Sequence, residues 1–276
     1  MHEQIAAWKT AGKRISFVPT MGALHQAHLS LMELGRAHGD CVVLSIFVNP
    51  TQFNSAEDLA KYPRTLEADL KLARDVNVDL VFTPTVEEIY PHGAAATRVV
   101  AGDASSGLCG ATRPGHFDGV VTVVAILFNI VQPDVAVFGE KDFQQSRVVQ
   151  QLVRDLHYPI EIVIGPTVRD TDGLALSSRN ARLTPHARER ALAIPQALQM
   201  AHRFVLEHGA TNAADVISLV REHLQRSPEI RVAYVEVVDR ETVGPVATFT
   251  KEAQLCVAAF VDGVRLIDNV RLSVRE

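Results

Sequence analysis

The 276-residue chain has few cysteines, and Cys41, Cys109 and Cys256 are odd in number, far apart and without a CxxC pair. That pattern argues against a disulfide framework and a thiolate zinc site, and it fits a reducing cytosol. Cys41 and Cys256 lie in apolar runs and read as buried small hydrophobes. Long apolar runs are also missing. The stretch VVTVVAILF falls well short of the roughly 20 residues that cross a bilayer. The N-terminal MHEQIAAWKTAGKR has no apolar core of signal-peptide length. There is no surplus of positive charge: a formal net charge of -5 gives no reason to expect nucleic acid as a partner. No repeat and no low-complexity segment is visible. These absences leave a cytoplasmic protein with no membrane and no nucleic-acid partner as the expectation.

What is present is a pattern of apolar, β-branched runs separated by helical ones. At 47% hydrophobic residues, the chain can build one large domain or two modest ones. RISFV, CVVLSIFVN, VDLVFTP, PDVAVFG and IEIVIGPTV read as strands with little alternation. Between them, AHLSLMELGRAHGD reads as a helix with Leu29, Met32 and Leu34 buried, and TLEADLKLARDVN as one with Leu66, Leu70 and Ala73 at helical spacing. EKDFQQSRVVQQLVRDLH is helical, and the length of GVVTVVAILFNIVQ favours a buried helix. Apolar strands alternating with helices imply a parallel sheet covered on both faces. The expected fold is α/β: a Rossmann-like doubly wound sheet over residues 1–168, followed by a smaller α+β domain over 169–276. In the second part, PHARERALAIPQALQMAHRFVLEHG reads as one long helix stopping at Gly209. The next helix has Thr211 or Asn212 as its N-cap and stops before Pro228, and strands follow from IRVAYVEVVD onward. HGAAATRVV reads as a loop entering a short strand.

PTMGALHQAH, Pro19 to His28, follows the first strand and places two histidines three residues apart. Three readings compete. Zinc would need further ligands, and no cluster supplies them. The histidines could simply cap or pack near a helix start. An anion-binding turn explains more: the strand ends at the sheet's carboxyl edge, Gly22 permits a tight turn, and the next helix aims free N–H groups at the same point. His25 and His28 then add donors on one face.

PTMGALHQAH also resembles the PTMGxLHxGH signature of the pantothenate synthetase, or pantoate–β-alanine ligase, family. FVNPTQF, YPRT, RPGHFDGV, FGEKDFQQ and DGLALSSRN agree with that family's segments in the same order. The likeness spans nearly the whole chain. Ala27 departs from the pattern, standing where the family has the glycine of HxGH. The HxGH element alone is shared by many nucleotidylyltransferase-like enzymes; Gln52 and Gln145 in their expected contexts favour the narrower family.

The resemblance implies an ATP-dependent condensation of (R)-pantoate with β-alanine through a pantoyl adenylate, releasing AMP and pyrophosphate. It implies catalytic roles for His28 as proton donor and for His25, Lys141, Ser177, Ser178 and Arg179 on the phosphates. ATP would be held by Met21, Gly22, Ala23, Leu24, His25, Gln26, Ala27 and His28, by Gly139, Glu140, Lys141 and Asp142, and by Val168 with Leu176 to Arg179. Gln52 and Gln145 would bind pantoate, with Met21 against its gem-dimethyl group. Arg113 and His116 would be structural or line the pocket. Mg²⁺ is expected with ATP; Asp69 is the best candidate ligand, Glu67 and Asp142 are weaker alternatives, and an exposed helix carboxylate with no metal role is the competing reading of Asp69. The resemblance also implies a homodimer. Near-neutral imidazole titration would let either histidine donate to developing negative charge.

Overall fold

A computed structural model describes residues 1–93 and 96–274. After α1 (His2–Thr10), the chain runs β1 (Ile15–Thr20), α2 (Gln26–His38), β2 (Cys41–Ile46), α3 (Ala56–Ala60), α4 (Leu66–Asp75), β3 (Leu80–Phe82) and α5 (Val86–Ile89). It continues through α6 (Leu108–Thr112), α7 (His116–Val131), β4 (Val135–Gly139), α8 (Phe143–Asp155) and β5 (Glu161–Gly165). The five strands are parallel, in the order β3-β2-β1-β4-β5. This is the doubly wound arrangement, with its switch point between β1 and β4.

Strand period sorts the core. Ile15 and Phe17, Val43, Ala136 and Phe138 join one cluster with α7 and α8, while Val18, Val42, Leu44, Val135 and Val137 join another with α2 and Ala73 of α4. Both faces are dry, which is why these strands lack alternation. A β-carbon on Gly35 would sit 3.5 Å from Ser16 and Val18 side chains, so this position carries α2 close onto the sheet. Leu34 is only partly buried. On α4, Leu66 and Leu70 are exposed; Asp69 and Ala73 take the inward positions, because a carboxylate there meets backbone donors. The short strand expected after HGAAA is not formed by residues 96–100. Ala94 and Ala95 lie outside the described residues.

The C-terminal part is α9 (Pro185–Ala191), α10 (Ala193–His208), α11 (Ala213–Gln225) and an antiparallel sheet of β6 (Ile230–Val238), β7 (Glu252–Val261) and β8 (Val264–Ser273). The single long helix expected here is broken at Leu192. Pro195 supplies the reason: it has no N–H and its ring would strike the carbonyl of Ala191, so it sits in the first turn of a new helix. Gly209 ends α10 at φ 60° and Asn212 caps α11 by accepting from the Ala214 N–H. One face of the small sheet packs under these helices through Val235, Val237, Leu255 and Val257. The other face, through Tyr234, Val238, Cys256 and Ala258, joins the core of the first sheet's helices. All three cysteines are buried and free.

Candidate active site

β1 and β4 pair only at Ser16↔Val135 and Phe17↔Ala136, so their carboxyl ends diverge. The crevice they leave is a cavity of about 230 Å³. A second lobe of about 350 Å³ extends toward the small sheet and shares Arg113, His116, Lys141, Asp142, Gln145, Ser177 and Arg179 with the first. Pro19 lies where β1 pairs only with β2, so its missing N–H costs the sheet no bond toward β4.

The first wall is the turn after β1. Gly22 has φ 78° and Ala23 φ 51°, two successive left-handed residues. Glycine is required at 22 twice over, because a β-carbon would also lie 3.0 Å from Asp69 Oδ2 and from Ile46. His25 is the N-cap of α2, and its backbone N–H donates to His28 Nδ1 at 3.2 Å. His28 is therefore the neutral tautomer with its proton on Nε2. The two rings lie 4.0 Å apart. Ala27 is the second residue of α2, in ordinary helical backbone that accepts a methyl group readily.

The second wall presents Gln52. Asn49, 1% exposed, donates to Gln52 Oε1 at 3.1 Å and to the Gly119 carbonyl at 3.1 Å, and accepts from the Tyr90 hydroxyl at 2.8 Å. With Oε1 engaged, the Gln52 amide NH₂ is the end left for the cavity, 3.1 Å from Met21 Sδ. Arg113 and His116 both bind the Gln52 carbonyl, at 2.9 and 2.7 Å, and both line the cavity. Asn49 was not singled out from sequence; its only signal is its place three residues before Gln52 in FVNPTQF. Gln145 lines the cavity, whereas neighbouring Gln144 is buried against Cys109, Ala104 and Gly107 backbone.

The third wall is the turn after β4. Lys141 is held 3.8 Å from Asp142. Asn269 of β8 donates to the Glu140 and Lys141 carbonyls at 3.0 and 2.9 Å, so the small sheet fixes this turn. The strap from Val168 to Arg179 closes the fourth side. Ser177 caps a 3₁₀ turn, Tyr62 Oη lies 3.4 Å from Ser178 Oγ, and Arg179 and Arg182 both pair with Asp58. Arg169 forms a two-pronged pair with buried Asp268, anchoring the strap to β8.

The cavity thus brings together Met21, His25, Ala27, His28, Gln52, Gly139, Lys141, Asp142, Gln145, Val168, Leu176, Ser177, Ser178 and Arg179. Gly22, Ala23, Leu24, Gln26, Glu140 and Asp69 do not line it. Leu24 packs in the core, Gln26 is exposed, and Glu140 turns to Arg240 at 3.6 Å. Among the described residues no group of three or more His, Cys, Asp or Glu gathers as a metal centre.

A family model, Pantoate-beta-alanine ligase, matches residues 1–271. The chain belongs to the pantoate–β-alanine ligase family. It is 49% identical to the pantothenate synthetase of Moorella thermoacetica over 99% of this chain and 95% of that one. It is 50% identical to that of Syntrophotalea carbinolica over 95% and 92%. The crystal structure of the Thermus thermophilus pantothenate synthetase superposes with a TM-score of 0.89 at 47% identity, covering 96% of each chain. The Francisella tularensis pantoate–β-alanine ligase, complexed with β-γ ATP and β-alanine, superposes with a TM-score of 0.79 at 34% identity, covering 97% of this chain and 94% of that one. The protein is a ligase with pantothenate synthetase function. No helix among the described residues is long and apolar enough to cross a membrane.

In this ligase the site histidines are held neutral. Burial, reinforced by Lys141, lowers His25 to about 4. Burial, then the neighbouring His25, lowers His28 to about 3. Burial, then Arg113, lowers His116 to about 4. Burial thus moves His25 and His28 below the near-neutral range expected from sequence, which favours the uncharged imidazoles in the free protein. All three folded values lie below the unfolded value of about 6.5. The stability they contribute is therefore full above that pH and drains as pH falls toward 4 and 3, because the unfolded chain binds protons first. Between pH 7 and pH 5 the unfolding free energy from urea titration is expected to fall, and the midpoint with it, by about 1 to 2 kcal/mol for each of His28 and His116 and less for the more exposed His25. A flat midpoint over that range overturns the neutral assignment.

Proposed function

We propose that the protein condenses (R)-pantoate with β-alanine at the expense of ATP, giving pantothenate, AMP and pyrophosphate through a pantoyl adenylate, and so serves pantothenate (vitamin B5) and coenzyme A biosynthesis in the cytoplasm. One observation carries this: a single cavity gathers His25, His28 and Lys141 with the carboxamide residues Gln52 and Gln145. The first group suits a polyphosphate and the second a hydroxy acid. The complex of the Francisella relative with β-γ ATP and β-alanine supports ATP and β-alanine as two of the substrates here.

In the first half-reaction a pantoate carboxylate oxygen attacks the α-phosphorus, and the bond to the β-phosphate oxygen breaks to release pyrophosphate. The carboxylate is already a nucleophile at neutral pH, so the site supplies position and charge neutralisation rather than a base. The Gln52 amide NH₂ and Gln145 orient the acid without an ion pair that would blunt it. Met21 packs on its gem-dimethyl carbons. The Nε2–H of His28 donates to the oxygen that gains charge, and a bound polyphosphate raises the basicity of both imidazoles toward neutrality. Lys141, Ser177, Ser178 and Arg179 hold the β- and γ-phosphates, with Gly139, Val168 and Leu176 beside the nucleoside. In the second half-reaction the neutral amine of β-alanine attacks the acyl carbon, AMP leaves with the bonding pair, and the amine gives up a proton.

Magnesium fits a site where most of its ligands come from phosphate and water. Asp142 is the carboxylate on the cavity wall that would hold it, and the ion would neutralise phosphate charge. This reading also takes residues 1–168 and 169–276 as two domains that close on the substrates, and the active form as a homodimer.

Mass analysis of products tests the reaction. Pantothenate, AMP and pyrophosphate are expected only with pantoate, β-alanine and ATP all present, and the adenylate with pyrophosphate when β-alanine alone is omitted. ADP and phosphate, or AMP without pantoate, overturn the proposal.

A further inference from the structure

Asp69 is 2% exposed, and among the described residues it pairs with no cation. A carboxylate buried in this way must be satisfied by hydrogen bonds. Its Oδ2 accepts from the Ala23 N–H at 3.0 Å, and its Oδ1 accepts from the Leu24 N–H at 2.8 Å and the Thr65 hydroxyl at 3.1 Å. Two of those donors belong to the turn that carries Gly22 and Ala23 through left-handed backbone. A left-handed alanine is strained, and charge-assisted bonds to consecutive N–H groups offset that strain. The next residue is His25, whose own N–H fixes the His28 tautomer.

We propose that Asp69 is a positioning residue, holding the Gly22–Leu24 turn so that His25 and His28 face the phosphates, and is not a magnesium ligand. This revises the ligand expected from sequence. Both carboxylate oxygens are engaged by the protein, and the side chain does not line the cavity. The inference rests on the proposed adenylation chemistry only for its kinetic readout.

The test compares wild type with Asp69→Asn, which keeps the volume but turns a donor toward the backbone N–H groups. Thr65→Val is the milder second variant, in case the first fails to fold. Single-turnover pyrophosphate release from pantoate and ATP is expected to slow about 30- to 100-fold in Asp69→Asn, and by less in Thr65→Val. Pantothenate formation from supplied pantoyl adenylate and saturating β-alanine needs no triphosphate, so it is expected to stay within about twofold. The Mg²⁺ concentration at half-maximal rate is expected to stay put. Imidazole ¹⁵N shifts of His28, read without substrate, are expected to move from one tautomer toward a mixture in both variants. Equal slowing of both half-reactions in a folded variant overturns the proposal, since that marks a general structural role. A rise in the Mg²⁺ requirement of about tenfold or more, with the rate restored at high Mg²⁺, overturns it in favour of a metal ligand. An unchanged His28 signal also overturns it. Should wild type release no pyrophosphate at all, the proposed function fails while the ¹⁵N comparison still decides the role of Asp69.

Discussion

His28→Ala is expected to slow single-turnover pyrophosphate release by about 10²- to 10³-fold, the usual loss on removing one preorganised donor from a developing oxyanion. The melting temperature is expected to move by only a few degrees. The side chain accepts one backbone N–H, that of His25, and truncation leaves this helix-end group beside the open crevice where water can reach it. The truncation also removes an imidazole whose burial opposes protonation, so part of the acid-side stability loss should disappear with it. The two measurements separate chemistry from folding: an unchanged single-turnover rate in a folded variant takes His28 out of the reaction. His28→Gln refines the result. Its amide can donate at a similar reach without titrating, so partial recovery identifies hydrogen-bond donation as the role, and no recovery identifies proton transfer.

Lys141→Met is expected to lower kcat/KM for ATP by about 10²- to 10³-fold, because a compact cation facing the polyphosphate is lost while the aliphatic stem is kept. Stability should hardly change, since the ammonium makes only a 3.8 Å contact with Asp142 and the turn itself is held by Asn269. The same variant has an electrostatic signature. Lys141 is one cause of the low proton affinity of both His25 and His28. Removing it is expected to raise both titration midpoints from about 4 and about 3, in NMR titrations of the free protein. Midpoints that stay fixed place Lys141 too far from the imidazoles to share a phosphate with them. Lys141→Arg is expected to rescue poorly, because a planar guanidinium does not fit a turn whose backbone is clamped from β8.

Much of the fold was legible because the parallel sheet is dry on both faces. RISFV, CVVLSIFVN and PDVAVFG needed no alternation to be read as strands, and they pair as a doubly wound sheet. The C-terminal helices were less legible. Hydrophobic period ran straight through Leu192, and only the ring of Pro195 required the break. On α4 the leucines at helical spacing misled, since the inward position belongs to Asp69, whose backbone partners at Ala23 and Leu24 lie more than 40 residues away in sequence. At the site, contiguous motifs named His25, His28, Gln52, Lys141 and Gln145, all of which line one cavity. They missed Asn49 and Asn269, because each works by bonding another residue's amide or carbonyl, and a single chain carries no mark of such a bond.

By itself the sequence determined the layer architecture, the turn at Gly22 and the chemical kinds gathered near the crevice, since these follow from local period, backbone freedom and side-chain type. Only the tertiary structure decided protonation and aim. His28 is neutral because it is buried beside His25, with its proton on Nε2 because a backbone N–H occupies the other nitrogen. Asp69 faces the turn because α4 brings it there, and Lys141 is fixed by a strand from the far end of the chain. Burial and long-range hydrogen bonds depend on distances between segments remote in sequence, and those distances exist only once the sheet, its helices and the C-terminal strands have packed.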